Sequence, residues 1–384
     1  MKGHIRQRGK RGTWYAVIDD PAEGARKRRW HRLEAKNRKE ADAALRTLLK
    51  SVDDHAYVGP NKLTVGEYLL GKIDQWETAK KISVRTAERY RELAKNQIIP
   101  HLGSERIQKL DVEAIENWHA TLISTGRKDG KGLSPTTVGH AHRLLSKALK
   151  QAKRLKIVNA NVAREIEALP KNDKDELQII DEASIRELPA KLAGRSIYPQ
   201  AIVSLFTGLR RGEVLALRWR HVDLDRKIIK VEQSLEQTKK HGIRFKAPKS
   251  KAGRREITMP AIVADALREH KRKQLELRFS LGLGKLGDDD LLFADVNGAP
   301  MSPQGLSVTW IKVAGEIGMP DVTFHALRHS HASMLIAAGV PITEIAKRLG
   351  HSTPVITLRT YAHVFKDKDS AAAAIDNALA EWPR

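Results

Sequence analysis

Between Thr64 and Leu155 the apolar residues recur at helical spacing in four successive patterns, and this stretch constrains the fold more than any other. Thr64 opens the first, with Val65, Tyr68, Leu69 and Ile73 on one face. Ser83 opens a second that ends near Pro100, and Asp111 a third running through Ile115, Trp118 and Leu122. Ser134 caps the fourth, with Pro135 at its first helical position, and this helix reaches about Leu155. Each apolar face has to be buried against the others, so residues 61–169 are expected to form a helical domain with its own core. The outer face of the last helix carries Lys147, Lys150, Lys153 and Arg154. Such a row is usually a solvated face, but in a chain this basic it is also a candidate for contacts to phosphates.

The flanks read differently. Thr13–Ile18 and Arg28–Leu33 are β-favouring runs separated by Pro21 and Gly24, and Asn37 then caps a helix bearing Ala41, Ala44, Leu45, Leu48 and Leu49. Residues 1–58 are therefore expected to form a small sheet-plus-helix unit, closed by Val58-Gly59-Pro60. Trp14, Tyr15 and Trp30 lie among basic residues, so one sheet face should pack on the helix while the other stays open to a nucleic-acid groove. Its candidate contacts are Arg6, Arg8, Trp14, Arg28 and Arg29. The polar, breaker-led stretch Pro170–Glu176 marks a linker over 170–179. Beyond it a mixed helix-and-hairpin domain spans 180–368, and an Ala-rich helical tail fills 369–384. The expected whole is a multidomain protein, mainly α with small β parts.

Charge narrows the partner. The net charge of +23 is spread along the chain, as +7 over residues 1–60, +8 over 61–169 and +8 over 170–384. A polyanion touched by every segment explains that distribution, and DNA or RNA is the obvious candidate. Charge alone leaves a merely basic, ribosome-like protein open. Cysteine is absent, so neither disulfides nor a thiolate metal site are available, and a reducing cytoplasm fits. No apolar run is long enough for a membrane span, and no apolar stretch follows the charged N-terminus as a secretory signal requires.

The chemistry lies in the second half, where Arg210, Lys249, His325, Arg328, His351 and Tyr361 follow one another. Gly208 ends one helical pattern and Arg210 begins the next, where free backbone N–H groups already favour an anion. Glu213, one turn on, is placed to orient Arg210, although on this segment alone a capped helix start with surface arginines reads as well. Residues 228–234 and 243–259 alternate like strands, which puts Pro248–Gly253, with its two lysines, at the turn of the second pair. His325 and Arg328 are spaced to address one phosphate together from a helix that stops at Gly339. A zinc reading of His325, His329 and His331 lacks the glutamate and the cysteines such sites use. Tyr361 is a poor nucleophile at its ordinary pKa unless cations lie close by, which the two arginines and two histidines supply. Together the set meets the needs of breaking a phosphodiester by a phenolic oxygen, with no metal or cofactor.

In this order and spacing, TGLRRGE, PKSKAGRREI, HALRH, LGHSTP and TYAHV resemble the catalytic domain of the tyrosine recombinases, the phage-integrase family, over roughly residues 180–368. Residues 61–169 resemble the family's core-binding domain, and residues 1–58 the arm-site-binding sheet domain of λ-type integrases. The resemblance implies Tyr361 as nucleophile, Arg210 and Arg328 as phosphate clamp, His325 as general acid/base and His351 as a hydrogen-bond donor to the phosphate. It also implies Lys249 as proton donor, with Lys251 a close rival and Gly253 standing where the family usually has Ser. The implied partners are double-stranded DNA carrying core and arm-type sites and three further copies of the chain in a tetramer. An excisionase and a host DNA-bending protein are further partner classes, and the tail Ser370–Trp382 packs either on a neighbouring protomer or on its own domain.

Overall fold

The structure is a computed structural model, and it describes residues 3–8, 12–19, 28–53, 61–169, 178–248, 250–362 and 376. The expected linker residues 170–177, Lys249 and the Ala-rich tail beyond Ala362 (apart from Asp376) lie outside them. The chain divides into two compact units, Met1–Lys174 and Asp175–Arg384.

The first unit opens with a three-stranded antiparallel sheet in the order β1 (Gly3–Arg8), β2 (Thr13–Asp19), β3 (Arg28–Arg32), followed by α1 (Arg38–Asp53). β1, GHIRQR, is too charged to stand out as a strand in the sequence; pairing supplies what propensity does not, through Ile5↔Ala16 and His4↔Val17. Alternation along β2 puts Ala16 and Ile18 against Leu45, Leu48 and Leu49 of α1. Gly3 lets the helix approach, since a Cβ there would meet Ile18 at 2.8 Å. Asn37 accepts the Glu40 amide at 2.9 Å, closing the start of α1 as expected.

The helical part of this unit contains α2 (Val65–Thr78), α3 (Val84–Leu93), α4 (Ile99–Leu102), α5 (Val112–Thr125) and α6 (Pro135–Arg154). Thr64, Ser83, Asp111 and Ser134 all accept amide hydrogen bonds as N-caps. Their inner faces meet in one core that includes Leu69, Ile73, Ile98, Ile115, Leu122, Leu144 and Leu149. Burial of one such side chain contributes about 1.5–3 kcal/mol. The second helical run ends near Pro100, as expected, but it is not one regular α-helix. A π-helical turn at Ala94–Ile98 carries the chain into α4, with Pro100 in its first turn, and helix continues to Leu102. Proline has no N–H to donate, and the first turn of a helical segment is the place where none is required.

The second unit is built around α8 (Tyr198–Thr207), whose Ala201, Ile202, Val203 and Leu205 are fully buried. α7 (Glu182–Leu192) precedes it, and α9 (Arg211–Val214) follows after a tight turn. β4 (Val222–Asp223), β5 (Ile228–Val231) and β8 (Arg255–Thr258) form one antiparallel sheet, while β6 (Ser234–Thr238) and β7 (Gly242–Lys246) form a separate hairpin. This corrects the expected strand pairing. β7 returns on β6 and β8 pairs with β5, so residues 248–253 connect two sheets and are not a hairpin tip. The helices α10 (Ala261–Ser280), α11 (Pro303–Glu316), α12 (Phe324–Ala337), α13 (Ile342–Leu349) and α14 (Pro354–Tyr361) complete the unit. No helix among the described residues is long and apolar enough to cross a membrane.

Candidate active site

Two left-handed glycines bring the site together. Gly208, at φ +70°, ends α8, and a Cβ there would come within 2.6 Å of the His331 ring. Gly350, at φ +67°, ends α13 and lies against Arg255, whose Nη1 a Cβ would meet at 2.8 Å. The backbone at these two turns offers carbonyls to the same side chain. Arg328, buried on α12, donates from Nη1 to the Gly208 carbonyl at 2.6 Å and from Nη2 to the Leu349 carbonyl at 2.8 Å.

Arg210 stands just before α9, as expected from the turn at Gly208, and Glu213 orients it. The Glu213 carboxylate accepts the Arg210 amide at 2.9 Å and its Nη1 at 2.8 Å. On its other side Glu213 accepts Arg255 Nη2 at 2.9 Å, both side chains being 5% exposed. Burial raises the Glu213 pKa, but the charges of Arg255 and Arg210 outweigh it and hold the carboxyl below its ordinary value. Arg210 keeps more than a third of its side chain open to solvent, at 39%.

Arg328 has no carboxylate in contact among the described residues. Burial first, and then the charge of Arg210, push its pKa down to about 9. Buried Arg328 with no carboxylate in contact, and partly exposed Arg210 whose Glu213 partner is shared with Arg255, together favour an anion, and a phosphate's oxygens match two such forks. His351 Nε2 lies 3.0 Å from Arg328 Nη2 and its Nδ1 2.7 Å from Thr357 Oγ1. An arginine only donates, so Nε2 is the acceptor, and the ring proton on Nδ1 faces Thr357. Burial, followed by the neighbouring arginines, lowers the His351 pKa to about 4, leaving it neutral.

Tyr361, the last residue of α14, is 1% exposed and packs with Ala332, Ile345 and Leu349. Burial raises its pKa to about 12, with Arg328 and Arg210 pulling in the opposite direction. Its hydroxyl lies 2.8 Å from His329 Nδ1. His325 sits one turn earlier on α12, its ring 4.6 Å from that of His329 and nearly perpendicular. His325 remains exposed, and desolvation, followed by His329 and Arg328, holds its pKa below the usual histidine value. The structure thus brings Arg210, Arg328, His351 and Tyr361 around one locus, with His325 beside His329. The position of Lys249 lies outside the described residues; its rival Lys251 is exposed at the start of a short turn over Lys251–Gly253, whose last residue is buried. At Gly253 a Cβ would meet Pro248 at 2.5 Å, which accounts for glycine in place of the family's usual Ser.

Three residues at or behind this locus carry no role in the sequence reading. Arg255 appears there only within the PKSKAGRREI motif match, His329 only within HALRH and as a rejected zinc ligand, and Thr357 not at all. For Arg255 the pattern of Arg followed by alternating strand residues is a signal. For the other two there is none, because their partners are 32 and 6 residues away.

The candidate DNA contacts divide. Arg6 and Arg8 place their guanidinium carbons 5.9 and 4.8 Å from the Trp30 ring centre, and Tyr15 meets Trp30 edge-on at 6.0 Å. Arg28 shares that strand face, pairing with Asp19 two positions from Trp30. Trp14 does not: in β2 it shares the face of Ala16 and Ile18, which pack on α1. Arg29 pairs with Ile18 in the strand register. In α6, Lys147, Lys150, Lys153 and Arg154 are all exposed, and Lys147 Nζ also stands 4.6 Å from the Trp76 ring centre and 4.9 Å from that of Tyr90. Strand alternation and an aromatic pair decide these differences.

The model of the phage integrase family matches residues 173–368, just over half of the chain. The chain belongs to the phage integrase family. The model of the phage integrase N-terminal SAM-like domain matches residues 73–123. A prophage phiRv2 integrase of Mycobacterium tuberculosis is 28% identical over 326 residues, covering 82% of this chain and 78% of the relative. An integrase of Streptomyces ambofaciens is 26% identical over 370 residues, covering 92% and 89%. Among solved structures, the Tn1549 transposon integrase in complex with transposon right end DNA superposes with a TM-score of 0.67 at 22% identity, covering 83% of this chain and all of that one. A λ integrase tetramer bound to a Holliday junction superposes with a TM-score of 0.57 at 16% identity, covering 92% and 94%. At these identities the two structures speak for the fold. The phage integrase described here is a site-specific tyrosine recombinase that acts on DNA.

Proposed function

We propose that this recombinase cuts and rejoins DNA through Tyr361. The reading rests on one observation: Arg210 and Arg328, the first half-exposed and the second buried without a carboxylate in contact, are near enough for their charges to act on the buried Tyr361 hydroxyl. Arg210 and Arg328 take the non-bridging oxygens of the scissile phosphate and stabilise the charge that grows on them as the phenol attacks. Their field also lowers the cost of forming a phenolate at the buried Tyr361. His325 flanks the phosphate as an acid/base, and Lys249 protonates the leaving 5′ oxygen. His351 accepts from Arg328 and turns its Nδ1 proton to Thr357, so it orients Arg328 instead of taking the phosphate-donor role that the resemblance implies. The products are a 3′-phosphotyrosine and a free 5′ hydroxyl, and the hydroxyl of a partner duplex reverses the step. The ester bond is conserved throughout, so no nucleotide cofactor is required.

Each protomer brings one nucleophile, so exchanging four strands through a Holliday junction needs four protomers on two sites. The open face of the N-terminal sheet, with Arg6, Arg8, Arg28, Tyr15 and Trp30, is assigned to arm-type DNA, and the row Lys150, Lys153 and Arg154 to phosphates of the core site. An excisionase and a host bending protein belong to the same reading as directional partners, in a bacterial cytoplasm.

The test is Tyr361→Phe. The variant is expected to bind attachment-site DNA as the wild type does, yet form no covalent adduct on a nicked substrate whose cleaved fragment diffuses away. An adduct formed by this variant overturns the assignment.

A further inference from the structure

In the mechanism proposed above the phenol proton has to leave as Tyr361 attacks, and the structure presents a group for it. The hydroxyl of Tyr361 lies 2.8 Å from His329 Nδ1, and among the described residues no other side chain hydrogen-bonds it. The two rings meet edge to face, 5.7 Å apart at 60°. His329 stands on α12 next to Arg328, so the phosphate clamp and this imidazole are fixed on the same rigid helix. His325, the histidine that family resemblance favours for acid/base work, meets the His329 ring nearly at right angles, 4.6 Å between centres. Burial and the Arg328 charge lower the His329 pKa, so its imidazole is neutral near pH 7 and able to accept.

We infer that His329, and not His325, accepts the proton of Tyr361 during strand cleavage. The inference rests on the reading of Tyr361 as nucleophile. In the step, a lone pair of the phenolic oxygen forms the P–O bond, and the O–H bond breaks with its proton going to Nδ1. The bond from phosphorus to the 5′ oxygen breaks with its electron pair, and that oxygen takes a proton from the acid assigned above. The imidazolium sits beside the negative charge held by Arg210 and Arg328. In rejoining, the same imidazolium returns its proton to the departing phenolic oxygen. His329 thereby serves the nucleophile and leaves His325 free for the phosphate and the leaving group.

The test uses the full chain with His329→Gln and His329→Ala, and two DNA substrates. The first is a nicked site that traps the covalent adduct in a single turnover. The second carries a 3′-p-nitrophenyl phosphate, whose departing phenolate needs no proton, opposite a strand with a free 5′ hydroxyl. Both variants are expected to form adduct at least about 100-fold more slowly, the usual scale for losing a general base. Joining of the p-nitrophenyl substrate should stay within about threefold of wild type, since the phosphate clamp is intact. Glutamine can accept a hydrogen bond but cannot take the proton, so wild-type cleavage by His329→Gln would reduce the residue to a positioning role and overturn the inference. Equal loss on both substrates would also overturn it, because it would mark a structural defect. Tyr361→Phe is run alongside: adduct formation by that variant sinks the nucleophile assignment itself, whereas a dead Tyr361→Phe with an active His329→Gln sinks only the inference.

Discussion

Arg255 ties the site together without reaching the locus of reaction. Its side chain, 5% exposed, donates to both oxygens of Glu213, to the Arg348 carbonyl at 2.6 Å and to the Gly253 carbonyl at 3.2 Å. One planar guanidinium therefore holds the start of α9, the end of α13 and the turn that follows Lys249. Arg255→Ala leaves Glu213 buried with only the half-exposed Arg210 as partner. Removing one member of a buried ion pair costs about 3–5 kcal/mol, and urea denaturation should show a loss of that size. A loss under about 1 kcal/mol, the scale of an exposed pair, would mean that Glu213 relaxes to solvent and that the network is not what holds the site. The sequence shows Arg255 as one of several basic residues. What sets it apart is the approach of Gly350, which only the folded chain displays.

At the scale of elements, the buried histidine pair of α5 and α6 makes the helical part of the first unit sensitive to acid. His119 Nε2 lies 3.2 Å from His142 Nδ1, and both residues are 6% exposed. Desolvation, with the charge of His142 second, lowers the His119 pKa to about 4, and desolvation lowers that of His142 as well. In the unfolded chain both return to about 6.5. As pH falls below that value the unfolded state takes up protons that the folded state refuses, so stability declines between about pH 6.5 and 4; above 6.5 both states are neutral and the pair is silent. Hydrogen exchange of the α5 and α6 amides should accelerate between pH 6.5 and 4.5, after correction for intrinsic rates. The double variant His119→Gln, His142→Gln should flatten that trend, and an unchanged trend would place its origin elsewhere. These helices were legible because each has a capping residue and a regular apolar stripe. The π-turn before Pro100 was not, since a proline reads equally as an end or as a first turn until the continuing core is seen. The strand pairing failed for a related reason. Alternation marks residues as strand, but it is silent about which strand they join, and β8 finds β5 across an intervening hairpin.

For the whole molecule, the spread of positive charge predicts binding dominated by counterion release. Affinity for attachment-site DNA should fall steeply with salt, by a log–log slope of about 0.9 for each phosphate neutralised. Replacing Lys150, Lys153 and Arg154 with Ala should lower the slope by about one for each residue in contact, at most about three, and weaken binding to all sequences alike. An unchanged slope measured between 50 and 200 mM salt would move the phosphate-contact face elsewhere. Lys147, held on Trp76 and Tyr90, is expected to contribute less than its neighbours on α6.

By itself the sequence supplied the helical and strand patterns, the spread of positive charge and the candidate residues Arg210, His325, Arg328, His351 and Tyr361. Caps, periodicity and motif spacing are local, and local physics writes them into the chain. Only the tertiary structure decided that Trp14 shares the helix-facing side of its sheet, that Arg255 closes on Glu213 across 42 residues, and that His329 meets the Tyr361 hydroxyl across 32. Those contacts depend on where the turns at Gly208 and Gly350 bring distant helix ends, and a distance between side chains far apart in sequence exists only once the core has closed.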